Sequence, residues 1–128
     1  MLLATTTETA PNGRLLRLAR LGAGPPLVLL HGYPDNLQMW CELAPRLADR
    51  FAVIAPDWPG MGYSEAWPGG ATPFHMADRL GAMLDAWGLD RVSLAGLNRA
   101  LQHLRERGRT TESPDGVRLA ARPPAGPG

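Results

Sequence analysis

The 128-residue chain is long enough for one modest domain, and its 45% hydrophobic and 20% charged residues are globular in balance. A formal net charge of +1 sets up no field that would attract nucleic acid or an anionic membrane. No apolar run approaches the roughly 18 residues a membrane span needs, and the lone cysteine, Cys41, excludes an internal disulfide.

The start, MLLATTTETA, has no basic stretch ahead of an apolar one, so no secretory signal is expected and the cytoplasm is the expected location. A short strand near residues 4–9 is predicted to pair with a half-buried strand over 14–20 through the turn signal Asn12-Gly13. Residues 26–30, PLVLL, form a continuous apolar run of the kind found in buried parallel strands.

Residues 37–49 read as helical, with Trp40, Leu43 and Leu47 on one face and Pro45 splitting the stretch into two short turns. A second buried strand, FAVIA, covers 51–55 and leads into the Gly/Pro loop DWPGMGYS. Thr72-Pro73 starts a helix with a cap and a proline in the first turn. Met76, Leu80, Leu84 and Trp87 line its face, and Gly88 ends it. Residues 92–95, VSLA, make a third buried strand.

Alternating strands and helices imply parallel pairing with helices on both sheet faces. From about residue 108 the periodicity stops, and a tail rich in Gly and Pro reads as disordered. From residue 98 onward the tail is mildly basic, which fits a solvated segment better than a nucleic-acid contact. The predicted organisation is therefore a partial domain over 1–107 and a disordered tail over 108–128.

Three loops follow the three buried strands. The first is His31-Gly32-Tyr33-Pro34. A loop at the carboxyl end of a parallel strand can aim backbone N–H groups into a crevice, where they stabilise a developing oxyanion. Gly32 lets such a loop turn without a Cβ clash. The second is Asp57-Trp58-Pro59-Gly60-Met61-Gly62-Tyr63-Ser64, in which Gly60 and Gly62 permit tight turns and Asp57 can accept from loop amides. The third is Gly96-Leu97-Asn98-Arg99-Ala100. Gly22-x-Gly24 lacks the third glycine of a dinucleotide loop and precedes a strand instead of following one. No Cys/His cluster has metal-ligand spacing, so neither a cofactor nor a metal is expected.

GPPLVLLHGYPDNLQMW and the D-x-x-G-x-G-x-S loop together resemble the N-terminal half of the α/β-hydrolase superfamily. HGYP followed by Met39-Trp40 is most similar to haloacetate dehalogenases and soluble epoxide hydrolases, while serine-nucleophile esterases share the first two motifs. The resemblance implies an α/β fold: a partial α/β-hydrolase, three-layered, with a mostly parallel sheet covered by helices on both faces. It implies the Tyr33 backbone N–H as one oxyanion donor and the Arg99 backbone N–H as the second. His31, Gly32, Pro34, Asp57, Gly60, Gly62 and Gly96 become residues that support the site. In the third loop the resemblance implies a nucleophile elbow, G-x-Ser/Asp/Cys-x-G, with Asn98 at the nucleophile position and Ala100 at the second glycine.

An amide is no substitute for a carboxylate or an activated hydroxyl, so covalent turnover through Asn98 is expected to fail or be very slow. The family's triad acid and general base have no counterpart here; His75 and His103 do not fit the base's position. Two readings stay open. The chain is a truncated or frameshifted hydrolase, or a short non-catalytic derivative that binds a partner. The partners expected are the family's small-molecule substrates, with no nucleic acid and no membrane. Self-association is a further expectation if the strand over 91–95 is left as an apolar sheet edge.

Overall fold

The computed structural model describes residues 1–32, 35–70, 72–89, 92–96, 110–113 and 116–119. Strands β1 (Thr6–Thr9) and β2 (Leu15–Leu21) form the predicted hairpin, pairing antiparallel with Thr6 opposite Leu18. The buried runs become β3 (Pro26–Leu30), β4 (Ala52–Pro56) and β5 (Ser93–Gly96). β3 pairs in parallel with β4 on one side and with β5 on the other. β2 closes the far side of β4 in the antiparallel sense.

Side chains alternate across this sheet, as the pleat requires. Val28, Leu30, Ile54 and Leu94 point to one face, where Leu80, Met83 and Leu84 of helix α2 (Pro73–Ala86) cover them. Leu27, Leu29, Val53 and Ala55 point to the other, beneath Leu37 of a 3₁₀ turn (Leu37–Trp40) and Ala44 of α1 (Leu43–Leu47). The result is three layers around a parallel centre with antiparallel flanks. Full burial of each leucine is worth about 1.5–3 kcal/mol, and leucines lie buried on both faces of this sheet.

One stretch differs from the sequence expectation. In residues 37–49 the break falls after Trp40, ahead of Pro45, which sits inside α1 in the first turn, where no intrahelical N–H is required. Cys41 and Glu42 separate the two turns. Consequently Leu43 is exposed, while Leu37 and Ala44 fill the core with Trp40 and Leu47 packed against them.

Two further strands come from the segment 108–128. They are β6 (Thr110–Ser113) and β7 (Gly116–Leu119), an antiparallel pair. β7 lies against β5, with Ser93 opposite Arg118 and Leu94 opposite Val117. β5 is therefore not an edge, contrary to the expectation for residues 91–95; the sheet order is β1-β2-β4-β3-β5-β7-β6. β-branched Thr110, Thr111 and Val117 suit strands, and Pro114-Asp115-Gly116 between them is a turn signal.

Gly22 and Gly24 pack against the backbone of Ala48, Arg50 and Phe51, which accounts for both glycines without a nucleotide. Among the described residues no helix is long and apolar enough to cross a membrane.

Candidate active site

The chain leaves β3 towards β4 and then returns across β3 to reach β5. Strand order thus reverses between β3 and β5, and a crevice for ligands opens outside the carboxyl ends of strands at such a point. Leu30 and Gly96 are direct partners there, so the loops after the two strands start side by side. The approach is close: a Cβ on Gly96 would lie 2.4 Å from the Leu30 carbonyl oxygen. That contact gives Gly96 a physical reason to be glycine.

His31, the first residue beyond β3, is fully buried. Its Nδ1 bonds the Gly32 carbonyl oxygen at 2.8 Å, and its Nε2 accepts from the Trp58 backbone N–H at 3.0 Å. The Trp58 indole N–H donates back to the His31 carbonyl at 2.8 Å. The imidazole is therefore neutral, with the proton on Nδ1 and the other nitrogen occupied. It fastens the loop after β3 to the loop after β4. The Gly32 carbonyl also accepts from the Asp35 N–H at 2.9 Å.

Asp57 is the hub of the second loop and has no solvent exposure. Its Oδ1 accepts from the Leu37 N–H at 2.7 Å, and its Oδ2 accepts from the Tyr63 N–H at 3.0 Å. Arg17 of β2 places Nε 2.9 Å from Oδ2, a contact between charges with no aligned hydrogen bond at that nitrogen. The same guanidinium lies 4.6 Å from the centre of the Tyr63 ring. Ser64 is not poised for attack: its hydroxyl donates to the Asp57 carbonyl and accepts from the Arg17 N–H, each at 2.9 Å. One carboxylate thus joins β2, the 3₁₀ turn and the glycine loop.

Gly60 and Gly62 both take positive φ, 83° and 54°. Gly62 has a second reason to lack a side chain, since a Cβ would stand 2.2 Å from Asp57 Oδ2.

Of the residues expected at the site, Tyr33, Pro34, Asn98 and Arg99 lie outside the described residues, as do Ala100 and His103. His31, Gly32, Asp57, Gly60, Gly62 and Gly96 form the frame from which their loops depart. The sequence reading overlooked Arg17 and Trp58, whose roles depend on sheet register and on contact between loops. His75 is bound locally, with Nδ1 2.7 Å from the Thr72 hydroxyl at the start of α2. Among the described residues no group of three or more His, Cys, Asp or Glu could hold a metal ion.

Comparison with known proteins agrees with this architecture. The family model described as the alpha/beta hydrolase fold matches residues 25–97. The chain is 39% identical over 85 residues to a soluble epoxide hydrolase of Corynebacterium sp. (strain C12), covering 66% of this chain and 30% of that protein. It is 40% identical over 85 residues to a fluoroacetate dehalogenase of Burkholderia sp., covering 61% and 27%. The chain thus spans about a third or less of the length of these relatives. Among solved structures, an alpha/beta hydrolase fold protein from Burkholderia ambifaria superposes with a TM-score of 0.74 at 29% identity, covering 84% of this chain and 42% of that one. The epoxide hydrolase CorEH gives 0.71 at 32% identity, covering 80% and 38%.

Proposed function

Since the chain belongs to the α/β-hydrolase fold family, we propose that it carries the oxyanion side of a hydrolase site but does not turn substrate over by itself. The bonds concerned are those of an epoxide, a carbon–halogen group or an ester, the first two following the relatives' names. The Tyr33 and Arg99 backbone N–H groups are the two donors, and Asn98 occupies the nucleophile position. The observation that carries this reading is the pairing of Leu30 with Gly96 where strand order reverses. Loops that start side by side at such a point can converge on one oxygen.

The chemistry of the residues supports a chain without turnover of its own. Attack on carbon needs an anionic or activated oxygen, and the Asn98 amide supplies neither. A general base must also reach the ester so formed. His31 has its Nε2 engaged by Trp58, and His75 is engaged by Thr72. The same absence of a nucleophile favours, as a second reading, a binding protein derived from the fold.

Purified chain is expected to hydrolyse p-nitrophenyl acetate, styrene oxide and chloroacetate no faster than buffer does. A rate well above buffer that Asn98→Ala abolishes would overturn the proposal.

A further inference from the structure

Arg79, on α2, is only 8% exposed, and it belongs to neither the Arg17–Asp57 nor the Arg20–Glu8 ion pair. Its Nη2 donates to the Gly70 carbonyl oxygen, which takes one of five guanidinium N–H groups. A buried cation is costly to leave without a counter-charge, and an anion beside it offsets part of that cost.

Arg79 lines an open cavity of about 290 Å³ between α2 and the loop after β4. The other walls include Pro59, Met61, Ala66 and Trp67, with glycine backbone between them. Arg79 is the sole charged residue among the lining residues. The Trp67 indole N–H is itself buried and has no acceptor among the described residues. Charge and apolar surface therefore meet in one space large enough for a small organic molecule.

We propose that this cavity binds a small carboxylate with an apolar body, such as an aryl carboxylate. The planar fork of arginine matches a carboxylate in two parallel hydrogen bonds. The ring of the ligand would lie against Trp67 and Met61, where it buries apolar surface. Tyr33, Asn98 and Arg99 take no part, so failure here leaves the hydrolase reading intact and the reverse also holds.

The test is calorimetric titration of the full chain with sodium benzoate, ionic strength held constant with sodium chloride, and with neutral benzamide as the comparison. Saturable benzoate binding with a Kd on the order of 1 mM is expected, with benzamide binding at least about tenfold more weakly. Arg79→Gln is expected to lower benzoate affinity by about tenfold or more, and Arg79→Lys by less. The proposal is overturned if benzoate gives no saturable heat, if benzamide binds as well as benzoate, or if folded Arg79→Gln binds benzoate as the parent does. The benzamide comparison decides the matter in the parent chain should Arg79→Gln fail to fold.

Discussion

At the scale of single residues, the candidate site depends on Asp57 more than on any group that could react. Three elements meet at this carboxylate, and each contact is specific: two backbone N–H donors and the Arg17 guanidinium. Asp57→Ala would leave Arg17, whose side chain is 13% exposed, without its counter-charge. Breaking a buried pair in this way costs about 3–5 kcal/mol. Gly62→Ala should cost about 1–3 kcal/mol through backbone strain, with further loss from the 2.2 Å approach to Asp57. Urea midpoints at neutral pH measure both; values within error of the parent would contradict the hub. Asp57, Gly60 and Gly62 could be found from sequence because their motif is local. Arg17 could not: it lies 40 positions before Asp57, and only the antiparallel pairing of β2 with β4 brings it there.

At the scale of elements, the strands and α2 were legible because period and punctuation agree. PLVLL, bounded by Gly24-Pro25 and His31-Gly32, reads as a strand buried on both faces. Thr72-Pro73 opens α2 and Gly88 closes it, with Gly88 at φ 70°. The pair β6 and β7 was obscured by its surroundings, where Gly and Pro dominate and four-residue strands leave no periodicity to read. The β1–β2 hairpin offers a pH test. Arg20 donates from Nε and Nη2 to both Glu8 oxygens, at 2.7 and 3.0 Å, and those hydrogen bonds hold the Glu8 carboxyl below its ordinary value of 4.5. A lowered carboxyl pKa stabilises the fold above the unfolded value and loses that effect as pH falls through the folded one. Both side chains are more than a third exposed, so the pair is worth about 0.2–1 kcal/mol at neutral pH. Glu8→Gln should lower the urea midpoint at pH 7 and lose that effect once the pH is well below 4.5. An equal deficit at both pH values would contradict the ion pair as the cause.

At the scale of the whole molecule, β7 takes the side of β5 that would otherwise present an unpaired apolar edge. Removing residues 108–128 should therefore expose β5 and promote association. Sedimentation of the shortened chain against the full one checks this, and identical behaviour would contradict a covering role for β7. The hydrolase architecture was legible early because two loops carry their motifs at the ends of recognisable strands. The juxtaposition that gives those loops meaning was not, since it arises from strand order and from the Leu30–Gly96 register. The proposed oxyanion site requires the loops after β3 and β5 to converge their amides on one point. The distance between the Tyr33 and Arg99 backbone nitrogens in a crystal structure tests this most directly. Two donors sharing one oxyanion at hydrogen-bond length stand no more than about 6 Å apart with both N–H groups turned inward, and that is the predicted result. Nitrogens well beyond that separation, or N–H groups directed away from a common point, would contradict the account.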